Sequence, residues 1–158
     1  MSTPAQDGSF GWPWLALAAA VAAHVTDEAL TGFLDVYNPT VLEARQRLGW
    51  FPMPVFTFET WLGGLVLGTI LLFSLTPLAF RGARWLRPFA YFVAVLMILN
   101  ALGHTLGTIF GRSFPDVTFQ RPMPGFYSSP LLFVSAVWML VTLQRGRRMA
   151  RSAAASGS

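Results

Sequence analysis

The stretch Ala20-Val21-Ala22-Ala23-His24-Val25-Thr26-Asp27-Glu28-Ala29-Leu30-Thr31-Gly32-Phe33 sets three ionisable side chains in a run that is otherwise apolar from Trp12 to Leu34. Taking such groups out of water is costly unless they are paired or bind something. The run is long enough to cross a bilayer as a helix. His24, Asp27 and Glu28 then mark a site inside a membrane domain.

Composition agrees with that setting. The 158 residues are 54% hydrophobic and 11% charged, with a mean hydropathy of +0.52. An ordinary soluble domain carries about 25% charged residues. The chain is therefore expected to be a polytopic membrane protein with the lipid bilayer as its partner. It has no cysteine, which excludes disulfides, thiolate metal sites and a cysteine nucleophile. All eleven basic residues are arginine, so lysine Schiff-base chemistry is excluded as well. A pI near 10.7 can signal nucleic acid. Here the arginines cluster between apolar runs, as membrane topology requires, and no nucleic-acid partner is expected.

Outward from the quoted stretch, the chain divides into four apolar runs. Residues 1–11 are polar and small, and are expected to be flexible. The first span covers about 12–34, with Trp12 and Trp14 as interfacial anchors. Its first half resembles a signal-peptide core but lacks the basic flank of one, so it is kept as a span. Asp35 to Pro39 reads as a turn, and Thr40 as the cap of a short interfacial helix through Leu48. The second span covers about 54–78 and carries Glu59 and the pair Gly64 and Gly68, whose spacing permits close helix contact. The third, about 85–110, carries Asn100 and His104 and a stripe of Gly103, Gly107 and Gly111. A loop stiffened by prolines leads to the fourth span, about 126–143. Residues 145–158 form a basic tail expected to be flexible. The predicted fold class is all-α: one transmembrane domain over 12–144, a four-helix transmembrane bundle with a short interfacial helix after the first span. No long internal repeat is present, and a homo-oligomer is left open.

With four spans, one side of the membrane holds seven arginines (81, 84, 87, 145, 147, 148, 151) and the other holds four (45, 47, 112, 121). The positive-inside rule then puts both termini in the cytoplasm. Helix rise gives depth: His24 and Glu28 fall about 15 and 21 Å from the inner face, and Asn100 and His104 about 20–27 Å. Glu59 falls about 7 Å below the outer face, at the level of Glu28 in a core about 30 Å thick. Polar groups from three helices are expected to share one layer in the outer half.

Spacing narrows the set. His24 and Glu28 are four apart and share a helical face, as do Asn100 and His104. Two imidazoles with a carboxylate are a common ligand set for a divalent metal such as zinc or iron. The candidate metal ligands are His24, Glu28 and His104. Asp27 or Glu59 is an additional ligand or the general base, since burial raises a carboxyl pKa toward neutrality. Asn100 is a hydrogen-bond donor or ligand. Each has a plainer use: a histidine bonded to a backbone carbonyl, a solvated Glu59, an Asn100 that only bridges helices. Tyr37, Tyr127, Ser128 and Ser129 fall near the outer ends of spans and are candidates to line an entrance. No nucleophile-elbow pattern surrounds Ser128.

His-Val-Thr-Asp-Glu (24–28), Asn-Ala-Leu-Gly-His (100–104) and Pro-Gly (124–125) before the last span together resemble the HXXEE family. These are small bacterial membrane proteins named for a His-x-x-Glu-Glu motif, with a later Asn and His. The resemblance runs from the first span to the fourth. Asp27 stands where the family name has Glu, with the same charge and a reach shorter by a methylene. The resemblance implies a bacterial inner-membrane location and a metal site at His24, Glu28 and His104, assisted by Asp27 and Asn100. It supplies no reaction. A fainter likeness, carried by His24, Glu28, Glu59 and a later Asn, is to the sterol-isomerase (EXPERA) type of membrane protein.

The expected function is a membrane-embedded metal-dependent enzyme acting on a lipophilic small molecule. The alternatives are a metal-free isomerase of a lipid double bond, with Glu28 and Glu59 as the proton-transfer pair, and a lipid- or small-molecule-binding or transport protein. Broken helices or an internal repeat would favour transport.

Overall fold

A glycine decides where the first helix stops. The computed structural model describes residues 9–156, and its regular elements are helices apart from one short hairpin. Helix α1 (Gly11–Thr31) ends because Gly32 adopts φ 78°, a left-handed conformation that costs glycine nothing, and returns its N–H to the Glu28 carbonyl. The chain restarts at once as α2 (Leu34–Leu48). The turn expected over 35–39 is therefore helix, and Thr40 is no cap: its hydroxyl donates to the Val36 carbonyl at 2.6 Å and lies 2.7 Å from the Ser113 hydroxyl. Asp35 in the first turn suits the positive helix end, and a proline at position 39 removes only one backbone donor. Asn38 then straps α2 to the extended segment that follows. Its side chain bonds both the carbonyl and the N–H of Phe56, at 2.9 and 3.0 Å.

The second apolar run begins at α3 (Phe58–Ser74), where Thr57 accepts from the Thr60 N–H, and breaks at Leu75 before α4 (Thr76–Phe80). Pro77 explains the break, and the Trp14 indole donates to the Leu72 carbonyl beside it at 2.8 Å. Helix α5 (Leu86–Phe110) follows the expected third span closely and ends at Gly111, with φ 66°. The next loop holds a small hairpin that the sequence did not reveal, β1 (Arg112–Phe114) paired with β2 (Val117–Thr118). Helix α6 (Ser129–Ser156) continues past residue 143 through the arginines, where a flexible tail was expected. The flexible N-terminus was expected over 1–11. Residues 1–8 lie outside the described residues, Phe10 is buried, and Gly11 already starts α1.

Helix α1 is central. It packs against α6 on one side and α3 and α4 on the other, and α5 lies along α6. The core between them is built from Trp14, Leu17, Leu86, Leu132 and Met139, with alanines such as Ala20, Ala90, Ala94 and Ala136 where backbones approach. The stretches Phe58–Phe80 and Leu86–Phe110 are long and apolar enough to cross a membrane. Among the described residues only these two are, against the four expected. Helix α1 is diluted by alanine and by His24, Asp27 and Glu28, and the apolar part of α6 gives way to arginine at Arg145.

Candidate metal centre

The site lies where the C-terminal halves of α1 and α5 meet the start of α6. His24 and Glu28 project from one face of α1, and His104 reaches them from α5. All three are buried, at 3%, 4% and 3% exposure. Glu28 Oε1 lies 3.4 Å from His24 Nε2 and 3.1 Å from His104 Nε2. The two imidazoles meet edge to face, with centroids 4.7 Å apart.

The distances are those of a hydrogen-bonded cluster, yet the angles are not. His24 Nε2, Glu28 Oε1 and His104 Nδ1 are buried with no hydrogen-bond partner. Buried polar atoms are nearly always bonded, and orphans cost free energy. Each of the three residues offers one ligand atom, all within 4.8 Å of one another. Tetrahedral zinc with ligand bonds near 2.0–2.2 Å separates its ligand atoms by about 3.3 Å. Glu28 Oε1 and the Nε2 atoms of the two histidines are thus spaced for a divalent cation, and this group can hold one.

Residues 121–128 roof the group. Gly125, at φ 82°, lies so close that a Cβ there would stand 2.7 Å from His104 Cε1 and 2.9 Å from Glu28 Cγ. The roof is tied down by the Met123 N–H to Thr108 Oγ1 at 3.0 Å and the Gly125 N–H to Thr31 Oγ1 at 3.3 Å. From the side, the Phe33 ring lies 5.6 Å from the His104 ring and stacks on Trp61 of α3 at 5.8 Å. Water is displaced from the group by these surfaces.

The remaining polar candidates are placed differently. Asp27 is turned toward α6: its Oδ2 accepts from the Ser128 N–H and hydroxyl, each at 2.8 Å. It is a holder of Ser128 and not a member of the three-residue group. Asn100 lies one turn before His104, with Oδ1 buried and without a partner. Glu59 is not brought to the group. It lies exposed in the first turn of α3 and makes no hydrogen bond or ion pair among the described residues. Trp61 explains this: it is the buried residue of that turn, and Glu59, two positions earlier, points about 200° away around the helix. Sequence reasoning missed Gly125 as a roof, Thr31 and Phe33 as neighbours, and Ser128 as a partner of His24. The signals were the Pro-Gly pair at 124–125 and the serines opening the last helix.

Compared with protein-family models, curated proteins and solved structures, the chain finds no match.

Proposed function

We propose that the chain is a membrane-embedded, metal-dependent enzyme that acts on a lipophilic substrate, with His24, Glu28 and His104 holding the ion. One observation carries this: three buried ligand atoms converge inside a helical bundle whose outside is apolar, and two of them, His24 Nε2 and Glu28 Oε1, have no hydrogen-bond partner. In the two candidate spans the best apolar windows are only 11% and 22% buried, whereas the core helix of a soluble protein hides most of such a window. Leu30, Leu67, Ile109 and Val134 stand outward in the same way, on the four helices α1, α3, α5 and α6. This supports α1 and α6 as further spans, giving the four-span bundle. The arginine bias then places both termini in the cytoplasm. The resemblance to the HXXEE family, through residues 24–28 and 100–104, belongs to the same proposal.

A divalent ion at this group, zinc or iron by the donor set, supplies Lewis acidity toward a substrate oxygen or a bound water. The chain's own residues do the rest. Gly125 and Phe33 keep bulk water from the imidazoles. Asn100 Oδ1 offers a free acceptor one turn below His104 to a polar end of the substrate. Glu28, the carboxylate between the two histidines, supplies the one negative charge among the three ligands. The isomerase alternative paired Glu28 with Glu59, and the exposed position of Glu59 gives that pair no support.

The test is elemental analysis of protein purified in mild detergent without chelator, wild type beside His24→Ala and His104→Ala. Near-stoichiometric zinc, iron or manganese in the wild type, lost in both variants, is the expected result. A folded, metal-free wild type would overturn the metal assignment and leave acid–base chemistry or binding at the same residues.

A further inference from the structure

His24 has two ring nitrogens, and only one faces Glu28. The other, Nδ1, lies 2.8 Å from the Ser128 hydroxyl, and that hydroxyl lies 2.8 Å from Asp27 Oδ2. A hydroxyl has one proton to give. The acceptors in reach are His24 Nδ1 and Asp27 Oδ2, both at 2.8 Å, and the Gly125 carbonyl at 3.2 Å, which already receives the Ser129 hydroxyl at 2.8 Å. Asp27 is the better acceptor: it is nearer than the carbonyl and, against His24 Nδ1 at the same distance, it is a carboxylate, whose hydrogen bonds are the stronger. It also collects the Ser128 N–H at the start of α6, where the helix end favours negative charge. With its proton committed to the carboxylate, Ser128 Oγ faces His24 with lone pairs only. His24 Nδ1 must then be the donor, and Nε2 is left bare.

We infer that Ser128 and Asp27 are positioning residues that fix His24 as the Nδ1–H tautomer and present its Nε2 lone pair to Glu28 and His104. Metal-binding histidines are commonly oriented through the second ring nitrogen, and loss of the partner weakens the site. Here three segments supply the device: α1 gives His24 and Asp27, the first residue before α6 gives Ser128, and α5 gives the second histidine. The use of the bare Nε2 as a ligand rests on the metal proposal above; the tautomer itself does not.

The chain has only two histidines, so a protein labelled with ¹⁵N-histidine gives one signal set for each. The measurement is made on the whole chain in mild detergent at neutral pH, free of metal, with His104→Gln used to assign the spectrum. Wild-type His24 is expected with the proton on Nδ1. Ser128→Ala is expected to move it to Nε2, and Ser128→Thr, which keeps the hydroxyl, to keep it on Nδ1. Zinc titration of the same samples is expected to show affinity about 10- to 100-fold lower in Ser128→Ala, recovered in Ser128→Thr. A wild-type His24 protonated on Nε2, or on both nitrogens, overturns the inference without need of any variant. So does a Ser128→Ala spectrum unchanged from wild type. A wild type with the proton on Nδ1 that binds no zinc supports the positioning pair and removes the metal proposal instead.

Discussion

Glu28 and Glu59 sit at the same expected depth, and the structure treats them in opposite ways. Glu28 is 4% exposed, between two histidines and beneath a glycine roof. Glu59 stands in the open on α3. The difference lies in the neighbours of each helix. Helix α1 has partners on both sides, so a polar face turned inward meets other polar faces. Helix α3 leans chiefly on α1, and its single buried aromatic, Trp61, takes the inward direction, against Phe33. Depth in a bundle is one coordinate; the angle around the helix axis is another, and packing sets it.

The sharpest way to break this contrast is to exchange the fates of the two acids. His104→Ala should abolish metal content altogether, and Glu28→Gln should do the same, while Glu59→Gln leaves it at the wild-type level. Metal lost in Glu59→Gln would place that residue at the site despite its exposure. Next in size is Gly125→Ala. The added Cβ meets His104 and Glu28 under 3 Å, in a backbone conformation that alanine resists. Thermal unfolding in detergent should show a loss of about 3 kcal/mol, with the metal lost as well. A smaller effect is expected where α3 is introduced. Asn38→Leu removes both bonds to Phe56 and should cost about 2 kcal/mol while sparing the metal, because the strap lies outside the roofed group. The smallest is on α3 itself. Nothing lies within 4 Å of a Cβ added at Gly64 or Gly68, so alanine at either should change stability by less than about 0.5 kcal/mol. A large loss there, growing with protein concentration in the wild type, would instead reveal a second chain against that face.

These contrasts bear on what could be read before the structure. His24 and Glu28 were legible because a spacing of four on a helix leaves little freedom. His104 was legible from spacing together with depth, since it shares a helical face with Asn100, four residues earlier, and falls in the same outer layer as Glu28. The end of α5 was legible from the apolar run, which stops at Phe110; Gly111, read as part of a small-residue stripe, proves to be the cap. The run Asp35 to Pro39 was misleading: its residues suit a turn, but Gly32 had already supplied the break, and α2 takes Pro39 at its sixth position with the loss of a backbone donor. Glu59 was misleading for the angular reason above. Ser128 and Gly125 were hidden for a different one. Their roles depend on how a proline-rich loop folds back across two helices, and no local periodicity encodes that. The hairpin of β1 and β2 was hidden likewise, since its five residues carry too little alternation to stand out.

The indole of Trp14 has a meaning for the order of events in synthesis. The break after α3 leaves the Leu72 carbonyl short of a helical donor, and hydrocarbon offers none. Beside a long bond from the Thr76 hydroxyl at 3.4 Å, the close donor it receives, at 2.8 Å, comes from a residue 58 positions earlier in the chain. Trp14 has therefore left the ribosome well before Leu72 is made. The bend at Leu75 closes onto a partner that is already waiting, and the second apolar run can fold against the first as it emerges.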